Sequence, residues 1–210
     1  MAPTRTTFAD LLAHDAALGA RFVAGADEAG RGALAGPIVG AAVLLEPGAL
    51  PADALQGLHD SKRLTPAKRA TLARAICRVA TAMAVVSISS QEIDEIGIQA
   101  ANLGALSRAL DLVAAPPGAA LLVDGFALPM QQRAHTAIVK GDATSAAVAA
   151  ASIIAKTTRD RAMEALDGYA PGYGFGDHAG YGTAAHKEAI TRLGPCRVHR
   201  YSFAPIALAA

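Results

Sequence analysis

Asp27, Asp124 and Asp142 share a setting: each stands at or just past the end of an apolar, strand-like run, with a glycine within three residues. In an open α/β sheet the strand ends are where ligand clefts form. Three carboxylates brought to one sheet edge repel each other unless a cation is present. Hard oxygen donors with no His or Cys beside them suit Mg²⁺ or Mn²⁺ better than zinc. Two-metal phosphodiester hydrolysis needs such a set, with one ion lowering the pKa of the attacking water and another, ~4 Å away, stabilising the leaving oxygen. Glu28 is a fourth acid, but strand side chains alternate faces. Asp27 and Glu28 therefore converge only if the chain bends there, which nearby Gly30 allows. Each aspartate alone also fits a turn former or helix N-cap. Three in like settings, with Glu28, shift the balance toward a metal-dependent hydrolase.

The elements that must position these acids can be read from the apolar pattern. Residues 22–26 form a short buried strand running into Asp27-Glu28, and residues 29–32 (Ala-Gly-Arg-Gly) a turn. Residues 37–45 read as a second strand, antiparallel to the first across the Gly-rich loop. Thr65 as N-cap with Pro66 at the first helical position opens a helix to about Val79. A third strand follows over 82–89, then a helix from Gly97 to about Val113 that Pro116-Pro117-Gly118 ends. Residues 119–123 and 136–139 are two more strands, and 143–166 a long Ala-rich helix. The Gly- and Tyr-rich stretch 167–182 is too long for a mere connector. A short helix over 184–193 and a Pro-containing tail complete a mixed α/β chain.

A hydrophobic fraction of 52% against 18% charged residues allows a core and excludes global disorder. No charge-free run approaches the ~20 residues of a membrane span, and Met1 to Ala20 lacks a signal pattern, so a cytoplasmic location is expected. Cys77 and Cys196 share no metal-like spacing and read as free thiols. The net charge of +1 does not announce a nucleic-acid binder. Arg192, Arg197, His199 and Arg200 do form a basic segment able to contact phosphates.

From about Val23 to Pro205 the chain resembles ribonuclease HII. The elements that carry the resemblance are Asp27-Glu28-Ala29-Gly30-Arg31-Gly32, Asp60-Ser61-Lys62, Asp124-Gly125, and Lys140-Gly141-Asp142 with the run ending at Lys156. Tyr173-Gly174-Phe175, Gly180-Tyr181-Gly182-Thr183, and His199-Arg200 leading to Ser202-Phe203-Ala204-Pro205 complete them, in that order. The resemblance implies a ribonuclease H-like fold, with a mixed five-stranded sheet flanked by helices and a small helical C-terminal part. It divides the chain into an N-terminal extension (1–20), a catalytic core (21–166) and a substrate-binding part (167–210). Asp27, Glu28, Asp124 and Asp142 are then the catalytic acids that hold two Mg²⁺ or Mn²⁺ ions.

The resemblance assigns Gly30-Arg31-Gly32 to recognition of the ribose 2′-hydroxyl, the group that distinguishes RNA from DNA. Tyr181 is assigned to packing against the following deoxynucleotide. Lys62, Lys140 and Lys156 are candidate phosphate contacts, although Asp160, four residues after Lys156, equally suggests a helical ion pair. His178 and His186 near Tyr181 read as structural. The implied substrates are RNA/DNA hybrids and duplex DNA containing ribonucleotides, cut by a monomer with no obligate protein partner, in ribonucleotide excision repair. Ala179 departs from the family, which often has Lys there. Ribonuclease HIII fits less well, because it carries an extra N-terminal domain and a different loop after the first acid pair.

Overall fold

Two runs of small and β-branched residues, 23–29 and 38–45, pair as the centre of a sheet in the computed structural model, which describes residues 6–58, 64–129 and 131–208. Among these residues the strands are β1 (Val23–Ala29), β2 (Ile38–Leu45), β3 (Ala82–Ile88), β4 (Ala120–Asp124) and β5 (Thr136–Ile138). Their order is β3-β2-β1-β4-β5. β1 is antiparallel to β2 and parallel to β4, and β4 is parallel to β5, so the sheet is mixed as expected.

The helices cover both faces. On one face lie α1 (Phe8–Ala17), α2 (Pro66–Val79) and α5 (Ala146–Tyr169), which enclose Val23, Val43, Leu45 and Leu122. On the other lie α3 (Ser90–Ile96) and α4 (Ile98–Leu112), over Ala24, Ala26, Ile38 and Val123. Alternation along β1 assigns the two faces. Ala24 and Ala26 meet α4, whereas Gly25 lies against α5 so closely that a Cβ there would sit 2.2 Å from the Ala147 carbonyl carbon. Gly40 of β2 plays the matching part for α4, where a Cβ would lie 2.9 Å from the Ala105 backbone.

α5 begins where Ser145 caps it and where buried Asp15 of α1 accepts from the Ala147 N–H at 2.9 Å. A carboxylate at a helix N-terminus is favourable. Residues 1–20 thus contribute α1 to the same core as the sheet. The remaining helices, α6 (Phe175–His178), α7 (Ala184–Leu193) and α8 (Ala204–Ala207), surround a third cluster containing Met163, Phe175, Ile190 and Ile206. Expected boundaries shift slightly. β1 runs three residues further than expected, through Asp27 and Glu28. A 3₁₀ turn (Gly141–Ala143) precedes α5, and α6 interrupts the expected 167–182 loop. No helix of the described residues is long and apolar enough to cross a membrane.

Candidate active site

β1 and β4 end side by side. Their parallel register places Ala26 next to Val123, so Asp27 and Asp124 stand next along the same pair of strands, on the α5 face. Asp27 is 6% exposed, and its Oδ1 accepts from the Glu28 backbone N–H at 2.7 Å. Burial holds its carboxyl well above the usual carboxylate range, and the charges of Glu28 and Asp124 push it further. Hydrogen bonds from the Ser152 hydroxyl and the Glu28 N–H act in the opposite direction. Asp124 Oδ1 accepts from the Gly141 N–H at 2.7 Å, which ties the 141–143 turn to the end of β4. Asp142, in that turn, is half-buried one residue beyond this bond.

Glu28 corrects one expectation. The strand ladder is regular through Ala29, with Asp27 opposite Ala41 and Glu28 opposite Gly40, so no bend brings the acid pair together. The turn comes afterwards, at Gly30, with φ of +95°. Alternation points Glu28 toward the α4 face one residue before β1 ends, and at the sheet's edge it also lines a cavity of about 570 Å³ with Gly30, Arg31, Gly32, Arg69, Ser152, Lys156 and Tyr181. Glu28, the Gly30–Gly32 loop and Tyr181 thus share one opening. A larger cavity of about 800 Å³ lies between α1 and α2, away from the acids.

The loop after β1 is held from beneath by two arginines whose roles the sequence did not reveal. Arg159 of α5 is fully buried and donates to the carbonyls of Pro37 (2.9 Å), Ala179 (2.9 Å) and Ala35 (3.1 Å). Arg200, also fully buried, donates to Gly36 and Arg31 carbonyls at 3.0 Å each. Burial lowers the Arg200 guanidinium to about 9. The basic tail expected to contact phosphates is therefore only partly available: His199 and Arg200 are buried, and Arg192 and Arg197 remain exposed. Arg31 itself is exposed, 4.7 Å over the Phe126 ring, and donates to Gln99 Oε1 at 2.8 Å.

Tyr181 is 37% exposed, with the Arg159 guanidinium carbon 5.4 Å and Lys156 Nζ 6.0 Å from its ring centre. Lys156 also bonds Asp160 at 2.6 Å, so the helical pair and a place at the cavity coexist. A histidine chain fixes the backbone under Tyr181. His186 Nδ1 donates to the Tyr181 carbonyl (3.0 Å), His186 Nε2 meets His199 Nε2 (3.1 Å), and His199 Nδ1 accepts from the Cys196 N–H (2.9 Å). These partners are all satisfied by neutral rings. Burial lowers His186 to about 4 and lowers His199 too. Lys140 is exposed and left-handed at φ +56°. Lys62, with Asp60 and Ser61, lies outside the described residues. Cys77 and Cys196 are free, as expected.

The donors suit a hard divalent cation: carboxylate oxygens, one of them deeply buried and destabilised by its acidic neighbours. Among the described residues, no three Asp, Glu, His or Cys side chains enclose a common point as they stand. The acids share an electrostatic field rather than a closed cage. The fit is therefore one of donor chemistry and charge.

Comparisons with known proteins identify the family. The family model for ribonuclease HII matches residues 24–206. A ribonuclease HII of Geobacillus kaustophilus is 52% identical over 194 residues, covering 90% of this chain and 71% of its own. One from Mycobacterium tuberculosis is 49% identical over 181 residues, covering 86% and 67%. The crystal structure of ribonuclease H2 from Pyrococcus horikoshii shares the fold at a TM-score of 0.74 and 27% identity, over 90% of this chain and 96% of that one. The chain belongs to the ribonuclease HII family, metal-dependent endoribonucleases that act on the RNA of RNA/DNA hybrids.

Proposed function

We propose that the protein cuts the RNA strand of RNA/DNA hybrids and also incises on the 5′ side of ribonucleotides embedded in duplex DNA, leaving 3′-hydroxyl and 5′-phosphate ends. The observation that carries this reading is the single cavity in which Glu28, the Gly30–Gly32 loop and Tyr181 meet. A phosphodiester beside the acids then has its ribose against a loop that can test for the 2′-hydroxyl.

Asp27, Glu28, Asp124 and Asp142 would hold two Mg²⁺ or Mn²⁺ ions, which would supply an activated water and charge neutralisation at the leaving oxygen. The protein's own contribution is position. Gly30 and Gly32 let backbone groups approach the sugar closely. Arg31, braced on Phe126 and Gln99, keeps further N–H groups for the strand. The Tyr181 ring offers a flat surface to the next deoxyribose, where an added hydroxyl fits less well. Lys156 beside that ring and Lys140 ahead of the 141–143 turn are the phosphate contacts of this reading. Lys62 is assigned the same task from the sequence motif alone.

The test uses the full chain and a labelled DNA duplex containing one ribonucleotide, with Mg²⁺, Mn²⁺ or EDTA, against an all-DNA duplex. Metal-dependent cleavage 5′ of the ribonucleotide, with the control intact, is expected. Cleavage of long hybrids alone would remove the embedded-ribonucleotide part of the reading, and equal cleavage of the all-DNA duplex would remove the role of the 2′-hydroxyl.

A further inference from the structure

Asn102 of α4 is 0% exposed, and neither its Nδ2 nor its Oδ1 has a hydrogen-bond partner. A buried amide with no partner is destabilising, and an apolar residue of the same shape is tolerated as well or better. Its position shows what it faces. Ala105 lies over Gly40 of β2, and Gly40 is the register partner of Glu28. On the opposite flank of the helix, Gln131, in the segment after β4, contacts the Ser107 carbonyl and hydroxyl. Helical spacing of ~100° per residue puts position 102 between these flanks, facing β1. α4 also starts at the catalytic end of β1, because Gln99 in its first turn bonds Arg31. Asn102 is one turn inward from that end, on the face toward which alternation points Glu28.

We propose that Asn102 is a positioning residue for Glu28: with the site loaded, its amide N–H groups donate to the Glu28 carboxylate and hold it toward the ions. This rests on the reading of Glu28 as a metal-holding acid. The device suits the regular ladder, in which alternation points Glu28 to the face opposite Asp27 and Asp124 with no backbone bend between them. A neutral amide donor suits the task, because it orients the carboxylate without neutralising the charge that the cation needs. Partners of this kind change metal affinity or activity by about 10- to 100-fold when removed.

The experiment compares Asn102→Leu with the parent chain in Mn²⁺ binding by titration calorimetry, in kcat and KM on a ribonucleotide-containing duplex, and in thermal midpoint. The expected result is an undiminished midpoint, Mn²⁺ affinity and kcat each lower by roughly tenfold or more, and an unchanged KM. Asn102→Thr keeps one donor and is expected to recover part of the loss. Asn102→Ala replaces the leucine should the larger side chain prevent folding. In a Glu28→Gln background, Asn102→Leu is expected to add no further loss of Mn²⁺ affinity. Parent-like Mn²⁺ binding and turnover in Asn102→Leu, with Glu28→Gln inactive, would overturn the proposal alone. Full activity of Glu28→Gln would overturn the reading of Glu28 beneath it.

Discussion

The two backbone segments that flank the acids are held in opposite ways. Residues 31–37 are gripped by two buried guanidiniums at the carbonyls of Arg31, Ala35, Gly36 and Pro37, and by backbone bonds to Gly180 and Val198. The 139–145 turn is tied to the end of β4 by the Gly141 N–H, which donates to Asp124, and to α1 by the Ser145 hydroxyl on buried Asp15, besides its short-range bonds. Val139 beside it is 79% exposed, and Lys140 is in a left-handed conformation that costs an L-residue about 1–2 kcal/mol. The 31–37 loop is thus braced by buried guanidiniums, and the turn carrying Asp142 is expected to be the more adjustable of the two.

The largest expected effect lies on the metal side. Asp124→Asn keeps an oxygen to accept from Gly141 N–H but removes the charge, so the turn survives and chemistry does not. Single-turnover cleavage should fall on the order of a thousandfold, the scale of losing a preorganised electrostatic stabiliser. Duplex binding in EDTA should stay near the parent's. Near-normal cleavage would remove Asp124 from the catalytic set.

Arg159→Met breaks the preset side. Three carbonyls, that of Ala35 buried and those of Pro37 and Ala179 part-buried, lose their charged donor, which should cost about 3 kcal/mol and lower the thermal midpoint by roughly 6–12 °C. Discrimination between a ribonucleotide-containing and an all-DNA duplex should shrink as well. An unchanged midpoint would mean that the loop does not depend on that guanidinium.

A pH series sharpens the same contrast in the histidine chain beneath Tyr181. The His186 pKa is lowered in the folded chain to about 4, so the unfolded chain takes up the proton first as pH falls. Its contribution to stability is complete above about pH 6.5, the ordinary histidine value, and is lost as pH falls toward 4. Stability against denaturant should therefore fall on going from pH 7 to pH 5, and His186→Gln should flatten that slope. Equal slopes would show that the imidazole is not held neutral.

Lys140→Gly should have the smallest effect. Relief of the left-handed conformation should raise stability by up to about 1 kcal/mol, with kcat close to the parent's. A loss of turnover comparable to that of Asp124→Asn would contradict an adjustable turn.

The strands that carry the acids were legible because the signal is local. An apolar run ending in Asp and Gly reads the same in sequence and in structure for β4. β1 was read three residues short, since Asp27, Glu28 and Ala29 do not look like strand residues. Only pairing to β2 keeps them extended. Arg159 escaped notice, and Arg200 was read only as a candidate phosphate contact, for a different reason: a buried arginine bonded to carbonyls far away in sequence has no local pattern. The basic tail was misread on the same ground, because charge in a sequence does not reveal which side chains point inward. α1 was passed over as part of an extension, although Thr7 and Asp10 form a capping box at its start that the spacing could have shown.

Gly25 and Gly40 lie in adjacent strands, and each admits a helix backbone on an opposite face of the sheet, α5 on one and α4 on the other. The frame beneath the acids is therefore squeezed from both sides at its thinnest place, and β1 cannot separate from either helix without dismantling both cores. Amide protons of β1 belong to the unit that exchanges with solvent only on global opening. Heat inactivation should accordingly coincide with loss of the whole fold rather than precede it.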